Sequence, residues 1–277
     1  TPAQLCSHQG FRPGFMKHIS SRDNPAVKAL VKLAGTAGKR GAPVLLDGVH
    51  LCQAWLQHYG PPDRAIFDVD RLSQPDIAAL AAAVPDNVSL ALDARLMHAV
   101  AAVESGQGVA FLVTPPVPVL PAQVDETCVL FDRIQDPGNV GTLLRTSAAA
   151  GIKRVFLATG TAAAWSPKVL RSGQGAHFAL EIHEHADLEA LLPRLRVPLV
   201  ATALDGSRDL FADRLPEQCA WIFGHEGQGV APALLAAASL KVRIPHDAVA
   251  VESLNVGAAA AICLFEQRRQ ASVRSPA

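Results

Sequence analysis

Apolar positions along this chain fall into two periods that take turns. After Asn24–Pro25, Val27, Leu30, Val31 and Leu33 recur near helical spacing, which predicts a short amphipathic helix. From residue 43 to residue 115, short apolar runs alternate with helical patterns. VLLDG (44–48) reads as a strand, VHLCQAWLQHYG as a helix ending at Gly60, AIFDV (65–69) as a strand and DIAALAAAV (76–84) as a helix. VSLAL, a helix around LMHAVAAV, and GVAFLVT complete a small α/β unit. PPVPVLPAQVDE (115–126) holds four prolines without a helical period and reads as a semi-rigid linker. Beyond it, CVLFD (128–132), RVFLA (154–158), LVATA (199–203), WIFG (221–224) and KVRIP (241–245) predict five strands separated by helices, hence a mainly parallel sheet covered on both faces. The division expected is an unstructured extension over 1–15, a domain over 16–114, a linker over 115–127, a second domain over 128–272 and a tail over 273–277. Met16 follows the extension, and whether it is the natural start stays open.

Composition narrows the class. Hydrophobic residues make up 49% and charged residues 18%, the balance of a packed chain. The formal net charge is zero, which argues against gripping nucleic acid by whole-molecule charge and leaves room for a local basic patch. Lys17, Arg22, Lys28, Lys32, Lys39 and Arg40 form such a bias, with Asp23 alone among them as an acid. Cys6, Cys52, Cys128, Cys219 and Cys263 are scattered and contain no CxxC pair, so neither a zinc site nor a disulfide framework is expected, and a reducing cytoplasm is the simplest home. No apolar run reaches the roughly 20 residues that span a bilayer. No metal and no membrane are expected.

Three motifs follow predicted strand ends, where open parallel sheets bind ligands. The first is FDRIQDPGNVGTLLRTSAAAG (131–151): Asp136-Pro137-Gly138 makes a tight turn, Asn139 suits a helix cap, and Gly141 keeps the first turn slim. Arg145 lies six residues on, about 600° around a helix, so it shares no stripe with Asn139, although a long side chain can still approach the helix mouth. The second, IFGHEGQGV (222–230), sets Glu226 among Gly224, Gly227 and Gly229. Its order is not G-x-G-x-x-G, and no acid stands about 20 residues beyond such a motif, which excludes a dinucleotide-dependent oxidoreductase. In the third, RIPHDAVAVESLNVGAAAAICLFEQRRQ (243–270), Ser253 is a natural cap for an alanine-rich helix that ends at Arg268 and Arg269. Each motif also has a plain structural reading as a capped turn or a buried helix.

In this order and spacing the blocks DPGNVGTLLRTSAAAG, GHEGQGV and ESLNVGAAAAICLFE resemble the SpoU (TrmH-like) RNA ribose 2′-O-methyltransferases of the SPOUT superfamily, over roughly 128–270. ISSRDNPAVKALVKL and VLLDGVHLCQAWL are similar to the N-terminal substrate-binding domain of the ribosomal-RNA members. The resemblance implies an α/β fold: a C-terminal parallel-sheet domain with a deep trefoil knot, plus a small N-terminal α/β substrate-binding domain. It implies S-adenosylmethionine as cofactor, a homodimer with the site near its interface, and methylation of a ribose 2′-hydroxyl in structured RNA, with 23S ribosomal RNA favoured over transfer RNA. Matched residue by residue, the catalytic positions fall on Asn139, Arg145, Glu226, Ser253 and Asn255. Cofactor contacts fall on Thr202, Ala203, Leu204, Gly224, Gly229, Ile244 and Leu254. RNA contacts are expected from the basic residues above together with Arg171. His225 and Gln228 depart from the family pattern, where a small residue and a glutamate are more usual, and the HDAVAV loop lacks a usual glycine and is one residue longer.

The chemistry then assigned is in-line attack by a weak nucleophile on an activated methyl group. Arg145 sits at the hydroxyl, with Asn139 and Ser253 fixing its guanidinium, Glu226 orienting the arginine or the ribose, and Asn255 shaping the cofactor side. Arginine as a literal base or as an electrostatic stabiliser of the alkoxide both remain open at this point. The rivals are a base methyltransferase of the same superfamily and a non-catalytic RNA-binding factor.

Overall fold

The computed structural model describes residues 16–34, 41–100, 106–204, 206–212 and 214–274. The expected extension over 1–15 and the basic pair Lys39 and Arg40 lie outside the described residues. Two compact units are formed, and the division falls between Thr114 and Pro115.

In the first unit the elements run β1 (Lys17–Ile19), α1 (Pro25–Ala34), β2 (Val44–Asp47), α2 (Val49–Tyr59), β3 (Arg64–Asp68), α3 (Pro75–Ala83), β4 (Ser89–Leu92), α4 (Ala94–Val100) and β5 (Val109–Val113). Among the described residues the sheet has the order β1-β4-β3-β5-β2, parallel over its first three strands and antiparallel where β5 meets β3 and β2. Helix α1 buries Val27 and Leu30 against Ile19, Ile66 and Leu92, while Val31, one residue off that stripe, stays exposed. Helix α2 ends at Gly60, whose φ of 81° suits glycine and whose N–H returns to the Leu56 carbonyl.

The second unit contains β6 (Cys128–Asp132), α5 (Pro137–Ala149), β7 (Arg154–Ala158), α6 (Pro167–Gly173), β8 (Glu181–Ala186), α7 (Leu188–Leu191), β9 (Leu199–Thr202), β10 (Arg208–Asp209), β11 (Ala220–Gly224), α8 (Pro232–Ala237), β12 (Leu240–Arg243) and α9 (Val256–Arg274). The sheet order is β10-β12-β9-β11-β6-β7-β8, and every pairing is parallel. Central strands β6 and β11 are buried at every position, which is why CVLF and AWIFG are unbroken apolar runs. Leu130, Phe156, Leu199 and Ile222 form one core around them.

Among the described residues seven strands stand where five were expected. Strand β8, EIHEHA, lies at the sheet edge, and its Glu–His alternation carries no apolar run to detect; β10 is two residues long. The proline-rich stretch is anchored at its end, because Val124 is fully buried and pairs with Leu195. Helix α9 runs through Arg268 and Arg269 to Arg274, so those arginines do not cap it. Arg268 donates instead to the Ala149 carbonyl at 3.3 Å, and Arg269 pairs with Glu266 at 2.7 Å. Cys52, Cys128, Cys219 and Cys263 are buried free thiols.

Candidate active site

Strands β6 and β11 pair in register with Gly224 opposite Asp132, so the turns leaving their carboxyl ends lie side by side. The first turn is built by Asp136 and Pro137. The Asp136 carboxylate accepts from the Asn139 N–H at 2.9 Å, and Pro137 occupies the first turn of α5. Asn139 is therefore not the cap it was expected to be, and its side chain is left available. Gly141 lies where α5 meets α6: a Cβ there would come within 2.8 Å of the Gly173 main-chain nitrogen and collide with the Ser172 side chain.

Glu226 binds this turn from the neighbouring loop. Its carboxylate accepts from the Gln135 N–H (3.0 Å), the Asp136 N–H (3.1 Å) and Asn139 Nδ2 (2.9 Å). The carboxylate thus lies against the amino end of α5, where helix polarity favours an anion. Partial burial pushes its pKa up, but the Asn139 amide and the main-chain N–H groups of Gln135, Asp136 and Glu226 itself outweigh that and hold it at about 2. Asn139 Oδ1 then accepts from Asn255 Nδ2 at 2.9 Å. Asn255 also caps α9, its Oδ1 accepting from the Gly257 and Ala258 N–H groups at 2.9 and 3.3 Å. Beside it Gly257 leaves room for the Thr142 methyl of α5, which would lie 2.9 Å from a Cβ. The chain Glu226–Asn139–Asn255 therefore joins the starts of two helices.

Two expectations fail here. Ser253 does not cap α9; it is exposed two residues before Asn255, which takes that role because its amide reaches the free N–H groups of the first turn. Nor is the Arg145 guanidinium fixed by Asn139 or Ser253, or oriented by Glu226, since Asn139 and Glu226 are already bonded to each other. Arg145 is exposed on α5 with no hydrogen-bond or ion-pair partner among the described residues.

The expected cofactor contacts gather on three adjacent strands. In the order β12-β9-β11, Val242 pairs with Thr202 and Ala201 with Ile222, so Thr202–Leu204, Ile244 and Gly224 all lie at the carboxyl ends. Leu204 and Val251 are exposed apolar side chains beyond those ends. At Gly224 any Cβ would collide with the main chain of Gly229 and Val230, because the loop folds back on the strand end. Gly229 closes it at φ 67°, a left-handed value, with its N–H on the His225 carbonyl at 2.8 Å. Leu254 is half-buried just before Asn255. Main-chain groups at three strand ends and the exposed apolar faces of Leu204 and Val251 suit a flat ligand with polar edges.

Of the expected RNA contacts in the first unit, Lys17 lies on β1, Arg22 in the following turn, and Lys28 and Lys32 on the outward face of α1; all four are exposed. Lys28 pairs with Asp23 at 2.8 Å. Arg171 is exposed on α6 in the second unit.

Sequence reasoning missed a second set of contacts between the same two loops. Asp132, 3% exposed, accepts from the Ala231 N–H (2.7 Å) and from Arg133 Nε (2.8 Å) and Nη2 (3.2 Å). Arg133 Nη1 donates to Gln228 Oε1 at 3.0 Å. Gln135 Nε2 donates to the carbonyls of Arg133 and Gly160 at 3.2 and 2.6 Å. An acid ending an apolar strand was the available signal. The departures from the family pattern also have partners: His225 Nδ1 accepts from the Gly227 and Gln228 N–H groups, and the longer loop is folded by Asp247, which accepts from the Val249 and Ala250 N–H groups.

Residues 126–265 match the model of the SpoU rRNA Methylase family. The chain is 32% identical to the 23S rRNA (guanosine(2553)-2'-O)-methyltransferase RlmP of Bacillus subtilis over 263 residues, covering 91% of this chain and 100% of that one. It is 29% identical to the 23S rRNA (guanosine-2'-O-)-methyltransferase RlmB of Pseudomonas putida, covering 82% and 96%. A crystal structure of an AdoMet-bound rRNA methyltransferase from Sinorhizobium meliloti superposes with a TM-score of 0.77 at 27% identity, covering 92% of this chain and 98% of the other.

Proposed function

The chain belongs to the SpoU rRNA methylase family, and on that premise we propose that it methylates a ribose 2′-hydroxyl of 23S ribosomal RNA with S-adenosylmethionine. The observation that carries this reading is the bonded chain Glu226–Asn139–Asn255 at the starts of α5 and α9, with a free arginine two turns along α5. The cofactor supplies a methyl group already activated on a sulfonium. Thr202–Leu204, Gly224, Ile244 and Leu254 would hold it through main-chain groups and apolar contact.

Arg145 acts on the hydroxyl. A guanidinium stays protonated in proteins, so it serves as a fixed positive charge and donor for the oxygen as its negative charge develops. Held there, S-adenosylmethionine would supply its methyl group to the 2′-oxygen and leave as the neutral thioether, and the hydroxyl proton would pass to water or a neighbouring phosphate. Glu226, already accepting three hydrogen bonds and with its pKa held at about 2, is the anchor of Asn139 and not a base. Asn139 and Asn255 keep the two helix starts in register beneath the reacting groups.

The finer architecture belongs to the same reading. After β12, two strands removed from β11, the chain returns as α9 to pack on α5, a path consistent with a deep trefoil knot. Phe265, 46% exposed on α9, suits the interface of a homodimer. Residues 16–114 would select the RNA through its shape and phosphates, with Lys17, Arg22, Lys28 and Lys32 contributing. The catalytic residues of the second unit fall within 128–272, and the protein would act in the cytoplasm.

The test is incubation with tritiated S-adenosylmethionine and separate pools of unmodified ribosomal and transfer RNA. Label in the ribosomal pool is expected. Label in the transfer-RNA pool alone would replace the substrate, and cofactor binding without transfer to either pool would favour a non-catalytic RNA-binding factor.

A further inference from the structure

Arg133 has a backbone and a side chain that the reading above does not use. It leaves β6 at φ 59°, a left-handed value that strains a residue bearing a side chain. Such strain persists where the surroundings hold the residue in place, and here they do. One edge of the guanidinium grips buried Asp132 through Nε and Nη2, while Nη1 reaches across to Gln228 in the glycine loop. Asp132 itself accepts from the Ala231 N–H, just past the far end of that loop. The loop is therefore held from the β6 side at Gln228 and Ala231, and it carries between its ends the Glu226 that sets Asn139.

We propose that Arg133 is a positioning residue for methyl transfer, clamping the glycine loop through Gln228 so that Glu226 and Asn139 keep their places. This rests on the methyltransferase reading. The two hydrogen-bond systems run in opposite senses: Glu226 reaches from the glycine loop to the β6–α5 turn, and Arg133 reaches from that turn to the loop. Neither loop can shift without breaking hydrogen bonds at both ends. Reaction rates are steep in such displacements, since about 1 Å of misplacement can cost a hundredfold. Gln228 Oε1 serves as a neutral acceptor for the Arg133 donor.

The experiment uses the full chain, labelled cofactor and the RNA that the wild type methylates. The variants are Arg133→Asn, Gln228→Ala, the double variant and Gln228→Glu. Asparagine tolerates left-handed backbone, so it removes the clamp without adding strain. Arg133→Asn and Gln228→Ala should each lower kcat about tenfold or more, with KM for RNA within about twofold. The double variant should lose no more than the worse single, and Gln228→Glu, which keeps the acceptor, should retain wild-type kcat. Multiplying losses in the double variant, or a lowered melting point with kcat unchanged, would overturn the proposal. So would a raised KM with kcat intact, which would make Arg133 an RNA contact. If Arg133→Asn does not fold, the Gln228 pair still decides, because that side chain is exposed. Turnover by the wild type in the same assay separates failure of the clamp from failure of the methyltransferase reading.

Discussion

At the scale of single residues, the site divides into groups that are held and one that is free. Glu226, Asn139 and Asn255 spend their polar atoms on one another and on helix starts, whereas Arg145 spends none. Replacing Arg145 with Ala should therefore abolish turnover while the thermal midpoint and calorimetric cofactor affinity stay near wild type. Glu226→Gln acts differently. Both carboxylate oxygens face N–H donors, so the amide would turn an NH2 towards one of them. We expect kcat to fall about a hundredfold in single-turnover assays, the scale of removing one preorganised donor or acceptor. The pH behaviour follows from its depressed pKa. Glu226 is ionised in the fold down to about pH 2, so its contribution is complete above the ordinary carboxylate value of 4.5 and is lost as pH falls towards 2. Wild type and Glu226→Gln should accordingly show the same activity ratio at pH 6 and pH 9. A ratio that changes across that window would give Glu226 the role of a titrating base.

At the scale of elements, close approach between helices depends on a few small residues. Gly141→Ala would force a Cβ against Ser172 and the Gly173 main chain, so α5 and α6 must separate. The expected loss is about 1–3 kcal/mol, read from chemical denaturation, together with reduced activity because α5 carries Asn139 and Arg145. Unchanged stability would mean that α6 yields freely. The sequence made legible the elements whose periodicity is apolar: β6 and β11, buried on both faces, and α1, with its stripe of Val27 and Leu30. It concealed β8, whose edge position lets glutamate and histidine alternate, and the three-residue β1 within a segment read for its charge. Caps were misassigned for a related reason. Ser253 and Asn255 are both competent by type, as are Asp136 and Asn139, and only the path of the main chain decides which one reaches the N–H groups. The Arg133–Gln228 hydrogen bond joins positions 95 residues apart, and no local pattern encodes it.

For the whole molecule, net charge is zero, so affinity for RNA must come from where the charges stand. Deleting the N-terminal basic segment would be a poor test, because it would remove strand β1 and the buried Val27 and Leu30. Converting Lys17, Arg22, Lys28 and Lys32, all exposed, to glutamine keeps β1 and the buried face of α1 in the chain and should weaken RNA binding. The log–log salt slope should shrink by about one for each phosphate that is no longer neutralised. An unchanged slope would move the RNA surface elsewhere. The central claim concerns the atom that receives the methyl group, and one product analysis addresses it directly: RNA methylated with tritiated S-adenosylmethionine is hydrolysed in alkali and separated by size. A ribose 2′-O-methyl blocks cleavage at its own phosphodiester, so the account predicts label in an alkali-resistant dinucleotide. Label released with single nucleotides would place the methyl on a base and contradict it.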